Sequence, residues 1–157
     1  MSPRAAARLA TLGFTRVYDY AAGKVDWGSF NLPLNGRAGT ETRAGAHVRS
    51  DVPTCRLDEP LRHVCQRVEK AGWDTCFVVD EAGIVIGRLG RSALGGQEQS
   101  VGDAMTPGPS TVRPSARLEA MVKRMHEQNL SNLPVTTSDG RLVGLLMRED
   151  AERVVPR

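Results

Sequence analysis

The chain repeats itself. Displaced along its own length by 57 residues, 54–91 aligns with 111–148 without a gap. Identities fall at Thr54/Thr111, Arg56/Arg113, Leu61/Leu118, Arg67/Arg124, Val78/Val135, Gly83/Gly140, Gly87/Gly144, Leu89/Leu146 and Arg91/Arg148. A repeat of this period is a duplicated supersecondary unit, and a unit this small cannot cover its own apolar face. The two copies are therefore expected to pack against each other.

Each copy reads as β-α-β-β-α. A short strand at Thr54–Leu57 or Thr111–Arg113 precedes Asp58 or Ser115, either of which can cap a helix through its side-chain oxygen. The helices that follow carry matching stripes: Leu61, Val64, Cys65 and Val68 recur as Leu118, Met121, Val122 and Met125. That i, i+3, i+4, i+7 spacing marks one buried helical face. Two strands then flank a tight turn, Thr75–Asp80 and Ile84–Leu89 around Glu81-Ala82-Gly83, and Asn132–Thr136 and Arg141–Leu146 around Ser138-Asp139-Gly140. Glycine closes each turn because it takes positive φ without steric cost. A last short helix starts near Arg91 or Arg148.

Composition narrows the chemistry. The three cysteines, Cys55, Cys65 and Cys76, have no C-x-x-C spacing and fall opposite Val112, Val122 and Leu133 in the repeat. They read as small core hydrophobes rather than as disulfide, zinc or catalytic groups. A net charge of +3 is spread along the chain, so nucleic acid is not an expected partner. No apolar run reaches the ~20 residues a membrane helix needs. A soluble, cytoplasmic protein with neither a metal nor catalytic residues is expected.

In this order, the pattern Gly144-Leu145-Leu146-Met147-Arg148-Glu149-Asp150, the segment Val101-Gly102-Asp103-Ala104-Met105-Thr106-Pro107 and the strand Asn132-Leu133-Pro134-Val135 resemble those of the cystathionine-β-synthase-type (CBS) domain. The resemblance implies an α/β fold of two β-α-β-β-α repeats, 48–99 and 100–157, packed as one intramolecular pair with two clefts. It also implies a regulatory module rather than an enzyme, one that needs no cofactor and senses an adenosyl nucleotide such as AMP, ATP or S-adenosylmethionine. A homodimer and a regulated protein partner are implied as well.

In the second repeat, adenine would lie against Thr111 and the Leu133-Pro134-Val135 strand, below Leu146. Asp150 would accept both ribose hydroxyls, and Met147 and Arg148 would face the phosphate. Met147 replaces the hydroxyl residue usual in the family, which favours AMP or adenosine over ATP. In the first repeat Gly90, Ala93 and Phe77 replace the family's hydroxyl residue, carboxylate and proline, so that cleft is expected to have lost its ligand. A pair that binds no ligand and serves as a dimerisation scaffold is the alternative.

The first 34 residues resemble the carboxyl-terminal end of a rhodanese-like domain, with a helix capped by Ser2, a strand at Arg16–Tyr20, and a closing segment holding Gly23, Asp26 and Trp27. The resemblance makes this a helix-strand appendage, joined to the pair by a Gly- and Ala-rich linker at 35–47. The sulfur-carrying cysteine of that family precedes such a helix, so a truncated sulfurtransferase fusion would need residues upstream.

Overall fold

A computed structural model describes residues 3–18, 20, 23–30, 32–33, 35–36, 41–95 and 100–155. Its elements are α1 (Pro3–Thr11), α2 (Gly23–Ser29), a 3-10 turn (Ala44–His47), β1 (Thr54–Cys55), α3 (Leu61–Lys70), β2 (Cys76–Val79), β3 (Val85–Leu89), α4 (Arg91–Leu94), α5 (Val101–Ala104), β4 (Thr106–Pro107), α6 (Leu118–Glu127), β5 (Asn132–Thr136), β6 (Leu142–Met147) and α7 (Arg148–Val154).

The first repeat forms a sheet in the order β1-β2-β3-β4, with β1 parallel to β2 and the other pairs antiparallel. The second repeats that order with shorter flanks. β5 pairs antiparallel with β6, Val112 bridges Val135 in parallel, and Arg49 bridges Leu145 antiparallel. Arg49 stands where Thr106 stands in the other sheet, so each repeat is completed by the arm that precedes the other copy. The arms carry core residues with them: Ala44 lies in the core of the second repeat and Val101 in that of the first, both with no exposed surface.

This exchange corrects three expectations. The linker ends before Ala44, because Ala44 and Gly45 donate to the carbonyls of Ala116 and Pro114 at 2.9 and 3.0 Å and are buried. Neither Asp58 nor Ser115 caps a helix; α3 and α6 begin at Leu61 and Leu118, and the first N–H of α6 is taken by the Thr42 carbonyl of the arm at 3.0 Å. The residues before each helix instead bridge to an arm, Pro60 to Ser100 and Arg117 to Arg43. The first strand of each copy is also shorter than expected, two residues in the first and the single Val112 bridge in the second.

The helical stripes lie where the spacing puts them. Leu61, Val64 and Val68 pack with Cys55, Cys76 and Leu89 in one core; Leu118 and Met125 pack with Leu133, Val135 and Leu146 in the other. Each fully buried side chain of this kind contributes about 1.5–3 kcal/mol. A third cluster, Val52, Phe77 and Leu145 with Trp73 and Met147 against it, joins the two repeats. The hairpin turns also meet, Ile84 bridging Arg141 and Val85 N–H donating to the Gly140 carbonyl at 3.0 Å. Ile84 and Arg141 are equivalent positions in the repeat, so the contact lies on a pseudo-twofold axis.

The N-terminal appendage differs from its expected form. Helix α1 is present, but residues 16–18 and 20 form no strand, and Tyr18 is 80% exposed. The cap expected at Ser2 lies outside the described residues. Gly23–Ser29 is helical, and Trp27 stands edge-on to Tyr20 with ring centres 5.4 Å apart. The Ser138 hydroxyl donates to Asp26 at 2.6 Å, tying this segment to the pair.

Candidate functional site

The structure divides the eight residues expected to form one site. Val135 and Leu146 turn into the core of the second repeat and have no exposed surface. The Thr111 hydroxyl accepts from Thr136 at 3.0 Å. Leu133 and Pro134 line a cavity of about 490 Å3, together with Arg88, Gly90, Ser92 and Ala93 of the first repeat. Met147 packs against the Val52–Phe77–Leu145 cluster instead. Arg148 pairs with Glu152 at 3.7 Å, and Asp150 is held by Arg49 at 2.7 Å and Arg153 at 3.3 Å. The adenine strand and the expected ribose carboxylate therefore belong to different sides of the interface.

The strand registers explain why. Residues directly opposed in an antiparallel pair share a face. Asn132 faces Met147 and Pro134 faces Leu145 on the second sheet, while Phe77 faces Arg88 on the first. These are the faces the repeats turn to each other. The pseudo-twofold axis therefore generates two clefts, one with Pro134 beside Arg88, the other with Phe77 beside Leu145. In the second, Val52, Phe77, Leu145 and their neighbours pack together, and Arg49 pairs with Asp150. That hydrogen bond holds the Asp150 carboxyl below the ordinary aspartate range.

The first cleft remains open, and its lining is chemically mixed. Leu130, Leu133 and Pro134 supply an apolar wall, Ser92, Thr106 and Ser110 hydroxyls, and Arg88 and Arg124 positive charge. Arg88 is anchored by donating to the Thr75 hydroxyl at 3.0 Å and by standing 5.9 Å from the Phe77 ring centre. Burial lowers the proton affinity of its guanidinium, which nonetheless stays charged at any physiological pH. Arg124 is oriented by Ser110 at 3.1 Å and Gln128 at 3.2 Å. Asn132 is 8% exposed, and its Oδ1 is buried without a hydrogen-bond partner. An unmatched buried acceptor is costly.

A larger hollow of about 610 Å3 lies among Arg56, Asp58, Val79, Asp80 and Glu81. Asp80 there already accepts from the N–H groups of Ala82 and Ile84, at 2.9 and 2.8 Å, and so holds the turn rather than a ligand. Among the described residues no group of three His, Cys, Asp or Glu is placed to hold a metal ion. The Cys76 thiol is pushed up by its contact with Cys55 and by burial, and burial also raises Cys65. Neither has the character of a nucleophile.

Arg88, Arg124 and Asn132 were not among the residues expected from the sequence. Arg88 had a signal, since it stands opposite Leu145 in the repeat: a charge at an inward position where the other copy has an apolar residue. Asn132 directly precedes Leu133-Pro134-Val135, and alternation along β5 puts it on the face of Pro134.

The CBS domain family matches residues 44–94 and 101–157, so the chain belongs to the CBS-domain family. Among curated relatives, the chloroplastic CBS domain-containing protein CBSX2 of Arabidopsis thaliana is 43% identical over 53 residues, 34% of this chain and 22% of that protein. This chain thus spans less than a quarter of that relative's length. The crystal structure of the cytosolic domain of the Mg2+ channel MgtE in complex with ATP superposes with a TM-score of 0.67 at 24% identity, covering 75% of this chain and 51% of the other. The structure of CBSX2 in complex with AMP gives 0.65 at 22% identity, covering 71% and 94%. At these identities the superpositions show a common fold. Among the described residues, no helix is long and apolar enough to cross a membrane.

Proposed function

We propose that the chain is a regulatory ligand-sensing module that binds one adenosyl nucleotide, of the AMP class, in the open cleft between the repeats. The observation that carries this reading is the cleft's lining, where an apolar wall and two guanidinium groups share about 490 Å3. A flat purine fits against the apolar wall that Leu130 and Pro134 give the cleft. A phosphate then lies within the field of Arg88 and Arg124, the residue type best suited to it. Cavities of about 300–1,000 Å3 are the usual size for small ligands. The AMP and ATP present in the two related structures support the same class of ligand.

Sensing requires that the ligand favour one arrangement of the pair, or of a dimer of pairs, over another; equal binding to both would shift nothing. The packing of Val52, Phe77 and Leu145 favours one further reading, in which that half of the module is purely structural and serves as scaffold for association with a second copy or a regulated partner. Thermal melts with AMP separate the roles. Wild type and Asp150→Asn should both be stabilised by millimolar AMP, because Asp150 is engaged with Arg49. Arg124→Gln should lose about tenfold to a hundredfold in affinity, the worth of a charged hydrogen bond. A stabilisation that disappears in Asp150→Asn and persists in Arg124→Gln would move the site to the other cleft.

A further inference from the structure

The open cleft has an unusual charge balance. Among the described residues that line it there are two guanidinium groups, Arg88 and Arg124, and no carboxylate. A vicinal diol is recognised best by a carboxylate, which accepts from both hydroxyls at once. The side chain at the position equivalent to Asp150 is the methyl group of Ala93. The cleft can therefore attract an anion strongly while offering the sugar only hydroxyl and amide groups, each of which binds water about as well. A ligand carrying a positive centre would enter against both arginines, and one of them, Arg88, is half-buried where water screens charge weakly.

We propose that this cleft selects its ligand by negative charge and leaves the sugar hydroxyls unread, so that it takes deoxyribonucleotides as well as ribonucleotides and rejects adenosyl sulfonium cations. The proposal rests on the nucleotide-binding reading above and narrows it to phosphorylated ligands.

The test is a calorimetric titration of the full chain with AMP, 2′-deoxy-AMP, adenosine and S-adenosylmethionine. Deoxy-AMP is expected to bind within about threefold of AMP, and adenosine and S-adenosylmethionine at least about tenfold more weakly. A loss of tenfold or more on removing the 2′-hydroxyl, or S-adenosylmethionine binding as tightly as AMP, overturns the proposal while leaving a nucleotide site in place. If no adenosyl ligand binds, both the site and its selectivity fall together. Two variants sharpen the result. Arg124→Gln should narrow the gap between AMP and adenosine. Ala93→Asp restores a carboxylate and should create a preference for AMP over deoxy-AMP that wild type lacks; if wild type already shows that preference and Ala93→Asp leaves it unchanged, another group reads the sugar and the proposal is wrong.

Discussion

Gly144 and Gly87 occupy equivalent positions, yet they carry different loads. A Cβ on Gly144 would lie 2.6 Å from the backbone oxygen of Arg49, whereas a Cβ on Gly87 would meet the side chain of Met105, whose flexible thioether can swing away. Gly144→Ala should therefore cost about 1–3 kcal/mol and lower the melting temperature by several degrees, with Gly87→Ala costing clearly less. Equal losses in the two variants, measured by thermal denaturation, would show that the Arg49 arm is not held tightly against β6. At this scale much was legible in the sequence. The helical stripes and the turn glycines follow from spacing and from positive φ, and Gly83 and Gly140 have φ of 81° and 89°. The partner of Asp150 was not legible, because only the arm's path brings Arg49 to its carboxylate.

The exchange of arms is the feature that sequence periodicity could not reveal. A repeat shows which segments are equivalent; it does not show which sheet each segment joins. Residues 41–49 precede the first repeat in the chain but complete the second, placing Ala44 in its core and pairing Arg49 with Leu145 at 2.9 Å in both directions. The capping expectation failed for the same reason, since the arm's main chain supplies what Ser115 was expected to give. Truncation exposes the difference. A chain starting at residue 41 should keep a cooperative thermal transition close to that of the full protein, because all three buried clusters draw their residues from Ala44 onward. A chain starting at residue 51 loses Ala44 and the Arg49 ladder, and should melt far lower or fail to fold. Comparable melting of the two shortened chains would contradict the exchange.

At the scale of the whole molecule, a pseudo-twofold pair has been made unequal. The family resemblance implied two clefts, and two of the substitutions that make them unequal were visible in the sequence: Phe77 opposite Pro134 and Ala93 opposite Asp150. Their consequence depended on how the sheets face each other. Phe77 and Leu145 pack together on one side, while Pro134 and Arg88 line a cationic cavity on the other. Ligand was therefore expected beside Asp150, and the open cavity lies on the opposite side of the axis. The central proposal is that the chain holds one nucleotide site, in the cleft lined by Arg88, Arg124 and Asn132. Isothermal titration of the purified chain with AMP tests it most directly. The account predicts a single site per chain whose affinity drops about tenfold or more in Arg124→Gln and is unchanged in Asp150→Asn; two sites per chain, or no binding of AMP at millimolar concentration, would contradict it.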